Sequence, residues 1–461
     1  MRQLIFILTL AILVACGGAD KAGKTNNDNA AATASKTDVF PYKIHQNKLD
    51  NGLNVVTVPY NSPGLAAFYI VVRVGSREEV EPGKTGFAHF FEHMMFRGTD
   101  KFPNDKYGAV LKATGAGANA NTWFDRTVYH MTGNAEMLDQ MFELEADRFQ
   151  NLNYSVADFK VEAGAVKGEY TKNFASQYEQ LEEALLSTAF TKHTYQHTTM
   201  GFFEDIVEMP NQYDYSLEFY KRFYRPEYST IIVVGDVEAD EVDELSKKYF
   251  GSWERGTYKA EIPTEPQQTE TRYTHISNSG FIPMITMAYK APGFEDNSKD
   301  IAALDIISTM VFSKRSDLYK KLVENEQKAL NLSGYMFWTR DPFLFNIDVL
   351  AKDEADLQYI RTTITEALNQ IKNEPMDKKL LEETKSHLKY SLAMMLDNPE
   401  AIAETLSYIV WLTGDPESLN RYYRTLETVT VEDVQRVAQK YFTDNRLTIA
   451  TISSKEKGGV K

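Results

Sequence analysis

The sequence predicts an α+β protein of two homologous domains, each a mostly antiparallel sheet with helices packed on one face. The main observation is an internal repeat between residues 219–234 and 437–452. Both segments have an amphipathic helix, an aromatic pair, a polar turn and a β-rich run, in constant register, with Phe223 matching Tyr441. Repetition of this kind indicates a duplicated domain, although two common helix–turn–strand units can also match by coincidence.

A second pair of segments supports the duplication. An apolar strand is predicted at 65–74, near the start of the first half, and a comparable strand at 284–289, near the start of the second. Between the halves, residues 261–271 are rich in Pro, Gln, Thr and Glu, which is typical of a linker. The predicted division is a signal peptide at 1–15, a flexible tether at 16–38, a first domain at 39–258, a linker at 259–272 and a homologous second domain at 273–461.

Strands and helices of the first half occur in blocks, and this pattern favours α+β over repeated βαβ units. Apolar, β-branched runs predict the strands, and longer stretches with helical periodicity predict the helices. The predicted strands are 53–59, 66–74, 128–132 and 229–234, and the predicted helices are 104–114, 135–150 and 155–188.

The net charge of −15 excludes one class of partner, because nucleic-acid-binding proteins carry basic surfaces. A negative surface favours basic peptides as substrates, but it is also a simple route to solubility. The sequence therefore predicts no nucleic-acid partner.

The N-terminus predicts a secreted, lipid-anchored protein. Arg2 precedes an apolar run from Leu4 to Ala15, which is too short to span a bilayer and fits the core of a signal peptide. The run ends in Leu-Val-Ala-Cys, which resembles a bacterial lipobox and implies cleavage before Cys16 and lipidation of its thiol. The alternative is a free cysteine in an ordinary signal peptide. Cys16 is the single cysteine, so an intrachain disulfide is excluded.

Residues 17–37 contain almost no large apolar side chain, so they cannot form a core and are predicted to be a tether. Gly17 follows the cysteine, where an Asp would be the familiar signal for retention in the inner membrane. The predicted location is the bacterial cell envelope, at the periplasmic face of the outer membrane.

The most informative motif is His-x-x-Glu-His, formed by His89, Glu92 and His93. On a helix these positions share one face, so the two imidazoles can bind one zinc ion while Glu92 reaches a water beside it. The motif is the inverzincin signature and indicates metal-assisted peptide hydrolysis. The plainer alternative is a core helix with two incidental histidines, but burying this trio unpaired is costly.

Catalytic zinc needs a third protein ligand. Glu162 and Glu169 are seven positions apart and share a helix face, although carboxylates on one helix are usually a solvated surface. Spacing alone leaves the third ligand open.

The chain resembles the pitrilysin and insulin-degrading enzyme family, which includes the mitochondrial processing peptidase subunits. The motifs that carry the resemblance are 48–53, 86–98, 117–122, 144–148 and 162–169. It implies that Glu169 is the third zinc ligand and that Glu162 assists catalysis around the metal. It also implies that Asn119 and Ala120 lie on an edge strand that pairs with the substrate backbone.

The resemblance further implies a closed chamber formed by two facing domain pairs, with Glu92 as the base that activates the attacking water. Complete family members carry an Arg and a Tyr that hold the substrate carbonyl, but these positions are Val323 and Leu330 here. We therefore expect a zinc endopeptidase that works with a homologous subunit carrying the missing pair, as a heterodimer rather than a homodimer. The alternatives are a structural subunit and a peptide-binding lipoprotein without turnover.

Overall fold

The computed structural model describes residues 38–455 and residue 460. The predicted signal peptide, the lipidation site Cys16 and residues 16–37 of the predicted tether lie outside the described residues. Among the described residues, no helix combines the length and the apolar character needed to cross a membrane.

The strands and helices follow in chain order. The strands are β1 His45–Lys48, β2 Asn54–Pro59, β3 Leu65–Val72, β4 Gly117–Thr122, β5 Thr127–Asn134, β6 Ser229–Gly235, β7 Arg272–Ser277, β8 Met284–Lys290, β9 Ala329–Met336, β10 Leu344–Ala351 and β11 Leu447–Ser453. The helices are α1 Phe87–Met94, α2 Asn104–Ala113, α3 Leu138–Asn151, α4 Val156–Asn173, α5 Gln177–Ala189, α6 Phe203–Glu208, α7 Tyr213–Phe223, α8 Ala239–Phe250, α9 Lys299–Phe312, α10 Asp317–Tyr319, α11 Leu357–Asn373, α12 Lys378–Met395, α13 Pro399–Thr413, α14 Ser418–Glu427 and α15 Val431–Tyr441.

The two sheets have the same topology. The first has the order β1-β2-β6-β3-β5-β4, and the second has the order β7-β11-β8-β10-β9. Apart from β1, each strand of the first sheet has a counterpart at the same place in the second. In each sheet one pair is parallel, β2 with β6 and β7 with β11, and the other pairs are antiparallel. The predicted duplication and the mostly antiparallel sheets are confirmed.

The repeat found in the sequence corresponds to matching elements of equal length. Helices α7 and α15 each have 11 residues, and strands β6 and β11 each have 7. Each helix is followed by an aromatic residue, and the backbone of that residue leaves the helical conformation in a similar way in both halves. Tyr224 has φ −84° and ψ 77°, and Phe442 has φ −87° and ψ 64°.

Both faces of the first sheet are covered, each by a different half of the chain. Alternate residues, such as Phe68 and Ile70, join α1, α3, α4, α7 and α8 in one hydrophobic cluster. The residues between them, such as Tyr69 and Val71, belong to a second cluster with residues of α13. The domain's own helices thus lie on one face, as predicted, while a helix of the other half covers the opposite face.

The second sheet is likewise covered by a helix from the other half of the chain. Helix α5 of the first half packs on β7 and β11, and Leu181 and Leu185 join Ala450 and Ile452 in a third cluster. The single helix predicted for 155–188 is therefore two helices, because Ser176 caps a new helix at Tyr178 N–H. The break separates α4, which packs on the first sheet, from α5, which packs on the second.

Polar contacts also join the halves. Nε of Arg77 lies 2.6 Å from Oδ2 of Asp341, and Nε2 of His193 lies 3.0 Å from the same oxygen. Nη1 of Arg340 pairs with Glu78 Oε1 at 2.8 Å. We call this group the interdomain ion cluster; its members are Arg77, Glu78, Asp125, His193, Arg340 and Asp341.

Residues 251–271, which overlap the predicted linker, contain no helix or strand. The segment is nevertheless held in place. The Glu265 carboxylate accepts the backbone N–H groups of Thr191, Lys192 and His193, and Gln268 is buried, donating to the carbonyl of Leu447.

Candidate metal centre

Helix α1 carries the His-x-x-Glu-His motif and is anchored by its apolar face. Phe87, Phe90, Phe91 and Met94 are buried in the cluster beneath the first sheet. The helix ends at Met94, and Gly98, with φ 95°, forms a β-bridge with Pro103 beyond its end. Two helical turns therefore position the whole motif.

Three side chains converge at the exposed side of α1. Nε2 of His93 lies 3.1 Å from Oε2 of Glu169, and Nε2 of His89 lies 3.6 Å from the same oxygen. Tetrahedral zinc with ligand bonds of ~2.0–2.1 Å separates its ligand atoms by ~3.3 Å, which is close to both distances. Within the described residues, these three side chains form the one group of His, Cys, Asp and Glu that could hold a metal ion.

The electrostatics of the three side chains suit a divalent cation. Burial lowers the pKa of His89 and so favours the neutral imidazole, which is the ligand form. For His93, burial opposes the charge, but hydrogen bonds to Glu162 and Glu169 outweigh it and raise the pKa to about 10. Carboxylates that attract a proton to this ring also attract a metal ion, so the donor set fits zinc.

Glu162 lies behind His93 rather than among the three ligand atoms. Its Oε1 is 3.0 Å from Nδ1 of His93, while Oε2 accepts a hydrogen bond from Nε of Arg97. A carboxylate that holds the second nitrogen of a ligand histidine orients the ring and fixes its tautomer. Among these contacts, Arg97 was not predicted from the sequence; its place one helical turn after His93 was the available signal.

Glu92 shares the exposed side of α1 with both histidines. It is partly buried, and its charge acts on both imidazoles. Among the described residues, no hydrogen bond or ion pair engages its carboxylate. The group predicted to be the base is therefore available for a water or a substrate.

Asn119 and Ala120 lie on β4, which is the edge strand of the first sheet and packs against α1. Ala120 pairs in register with Tyr129 of β5 and is buried, whereas Asn119 pairs with His130 and is exposed. An edge strand next to a candidate active site can accept an added peptide strand.

The positions expected to lack the substrate clamp lie in the second half. Val323 packs against the hydrophobic core, and Leu330 is exposed on β9, the edge strand of the second sheet. Two other histidines four positions apart, His193 and His197, are also buried. Nδ1 of His197 lies 2.9 Å from the Thr198 carbonyl, and His193 belongs to the interdomain ion cluster.

A duplicated α+β chain with an inverted His-x-x-Glu-His helix, completed by a glutamate from a second helix, has the architecture and ligand arrangement of an inverzincin-type metallopeptidase. Residues 55–201 match the family model described as insulinase (peptidase family M16), and residues 212–388 match the model described as the peptidase M16 inactive domain. The chain belongs to peptidase family M16, which confirms the resemblance found in the sequence.

Individual relatives support this assignment. The chain is 30% identical over 409 residues to the zinc protease PqqE of Helicobacter pylori, covering 87% of this chain and 90% of that protein. It is 25% identical over 421 residues to a probable mitochondrial-processing peptidase subunit beta of Arabidopsis thaliana, covering 88% and 77% of the two chains. The crystal structure of a protease from Helicobacter pylori matches with a TM-score of 0.83 at 28% identity, over 89% of this chain and 99% of the other.

Proposed function

We propose that this chain is a zinc-dependent endopeptidase that hydrolyses peptides or unfolded protein segments. The observation that carries the proposal is the convergence of His89, His93 and Glu169 beside the available carboxylate of Glu92. The homology to zinc proteases supports it.

Each residue around the metal centre has a distinct role. His89, His93 and Glu169 hold the zinc ion, and Glu162 keeps the His93 ring in the orientation that binding requires. Bound zinc supplies Lewis acidity, which polarises the scissile carbonyl and makes a water acidic near neutral pH.

Glu92 moves the proton. Its carboxylate takes a proton from the water that attacks the scissile carbonyl, and then delivers it to the nitrogen of the leaving amine. Because no described residue engages this carboxylate, neither transfer has to break an existing ion pair.

The substrate lies along β4, and a partner subunit completes the substrate-binding site. The free edge of β4 offers backbone groups to an extended peptide next to Asn119 and Ala120. Val323 and Leu330 leave the chain without the Arg and Tyr that would hold the substrate carbonyl. We infer that a homologous subunit supplies them in a heterodimer, and that the two subunits enclose the chamber in which cleavage occurs.

A structural or peptide-binding role is the second candidate, because residues 212–388 match a model named for the inactive domain. That match lies in the half without the metal ligands. The complete ligand set in the first half favours the peptidase.

The cell envelope is the proposed location. A lipid on Cys16 would attach the chain to the periplasmic face of the outer membrane, leaving the peptidase in the periplasm.

The decisive experiment compares Glu92→Gln with the parental chain, each assayed with its homologous partner. Both proteins should bind about one equivalent of zinc, and Glu92→Gln should lose peptide cleavage, because it removes the base and not a ligand. His89→Ala, His93→Ala and Glu169→Ala should lose the metal. The control is His387→Ala, which removes a histidine of the second half. Parental cleavage by Glu92→Gln would refute the mechanism.

A further inference from the structure

Glu79 occupies a buried position at the start of helix α1. Its Oε2 accepts the backbone N–H of Gly86 at 2.8 Å, and its Oε1 accepts the N–H of Ala88 at 2.7 Å. The residue is 3% exposed. One carboxylate therefore satisfies two of the N–H groups that the first turn of a helix leaves without intrahelical partners.

Helix α1 cannot provide this cap itself. Gly86 is the N-cap residue and has φ 87°, a conformation that favours glycine. A Cβ at Gly86 would lie 2.4 Å from Cδ1 of Ile206 and 2.9 Å from the carbonyl oxygen of Met200. Since Ser, Thr, Asp and Asn are excluded at this position, the capping oxygen must come from another part of the chain.

Burial raises the pKa of Glu79 to about 8, and the backbone N–H groups of Ala88 and Gly86 act against that shift. Asp205 and Glu78 are acidic neighbours, and the nearest cationic candidate is His197, whose Nδ1 is 3.9 Å from Oε2. Burial lowers the pKa of His197 to about 4, so this ring is neutral at pH 7. The two N–H groups and the positive end of the helix dipole are left to stabilise the carboxylate. Its position and that of the helix start are thus coupled.

The two histidine ligands are supported differently. His93 is oriented by Glu162 at its Nδ1 atom. Nδ1 of His89 is buried and has no hydrogen-bond partner among the described residues. The direction of the His89 ring therefore depends on packing and on its backbone, and the residue directly before it, Ala88, is held by Glu79.

We propose that Glu79 is a positioning residue for the metal centre: by holding the first turn of α1, it sets the place of His89 relative to Glu169. The inference rests on the proposed zinc peptidase function. Glu79 touches neither the metal ligands' side chains nor the substrate edge, and acts through the backbone of α1.

The test uses Glu79→Gln, Glu79→Asp and a control that removes a helix cap elsewhere. Gln keeps the size but places an amide group opposite a backbone N–H, and Asp keeps the carboxyl group but cannot reach both N–H groups. The control is Asp377→Ala, which removes the carboxylate that accepts the N–H of Lys379 at 2.8 Å and caps α12 in the second half. Each variant is measured for its zinc dissociation constant, for kcat and KM with the partner at saturating zinc, and for amide exchange in residues 86–95.

We expect Glu79→Gln to raise the zinc dissociation constant ~10–100-fold, the range for groups that support ligands without binding metal. It should also lower kcat with little change in KM and speed exchange in residues 86–95. Glu79→Asp should give intermediate values, and Asp377→Ala should leave zinc binding unchanged.

Folded Glu79→Gln with parental zinc affinity and kcat would overturn the inference, even if its thermal stability falls. If the Gln variant does not fold, the same criterion applies to Glu79→Asp. A parental chain that binds no zinc would refute the proposed function and the inference together, whereas normal zinc binding in parental and variant proteins refutes the inference alone.

Discussion

Oε1 of Glu162 lies 3.0 Å from Nδ1 of His93, on the opposite side of the ring from Glu169. This contact places the imidazole proton on Nδ1 and leaves the lone pair of Nε2 for a metal ion. Two glutamates of helix α4 thus act on the two nitrogens of one ring. Because Glu162 and Glu169 are seven positions apart, they share a face of α4, and both can therefore reach the His93 ring.

Removing this support should weaken the metal centre without abolishing it. Glu162→Gln can place its amide nitrogen against Nδ1, so we expect the zinc dissociation constant to rise ~10–100-fold, with a matching loss of activity at limiting zinc. Competition with a chromophoric chelator measures the constant. Lys167→Gln on the exposed face of α4 is the control. Unchanged affinity in Glu162→Gln would contradict the assigned role.

The purified chain should be nearly inactive without its partner. Losing donors that stabilise the reacting carbonyl typically costs about 10²–10³ in rate, and Val323 and Leu330 provide none. Activity should appear when a homologous subunit is added that has Arg and Tyr at those positions but no His-x-x-Glu-His motif. The assay compares this chain, the partner and their mixture. Full activity from this chain alone would exclude the heterodimer.

The interdomain ion cluster should stabilise the fold at neutral pH. Burial would raise the pKa of Asp341, but hydrogen bonds from His193 and Arg77 outweigh it and hold the pKa well below its usual value. Because the pKa of Asp341 is lower in the folded state than in the unfolded state, its ionised carboxylate stabilises the fold at any pH above the unfolded-state pKa of about 3.9. This stabilisation is lost as the pH falls through the lower pKa of the folded state.

Asp341→Asn should therefore lower the free energy of unfolding at pH 7 by about 1–3 kcal/mol. The difference between variant and parental chain should become smaller below about pH 4. The figure is below that for a fully buried pair because the Asp341 side chain is 29% exposed. Urea denaturation at several pH values measures it, with exposed Asp50→Asn as control. Equal stability of variant and parent at pH 7 would show that the cluster does not join the halves energetically.

Membrane attachment should depend on the thiol sulfur of Cys16. Cys16→Ser removes the thiol that would carry the lipid, so the protein should move from the membrane fraction to the soluble periplasm. Immunoblots of fractionated cells measure the change. If Cys16→Ser still sediments with outer membranes, another attachment is responsible.

Local sequence patterns predicted the elements and the two candidate histidine ligands, because both depend on short spacings. The repeat around Phe223 and Tyr441 predicted the matching parts of the two sheets, and the spacing of His89 and His93 predicted their shared face. Glu169 could be predicted as the third ligand only from the family resemblance, because spacing alone does not distinguish a metal ligand from a solvated carboxylate.

Other features depend on contacts between distant residues and left no local signal. An apolar stripe shows that a helix is buried but not which sheet buries it, so the positions of α5 and α13 could not be predicted. For example, His193 contacts Asp341, which lies 148 positions away in the chain. Glu79 is close in sequence to α1, but its capping role depends on the space that Ile206 denies to a side chain at Gly86.

The placement of α13 has a consequence for how the chain folds during synthesis. One face of the first sheet, including Tyr69 and Val71, stays exposed until the ribosome has made residues 399–413. We therefore expect the first half to expose apolar surface for most of translation. Because each sheet is covered by a helix of the other half, we also expect a single cooperative unfolding transition, and insoluble products when residues 39–258 are expressed alone.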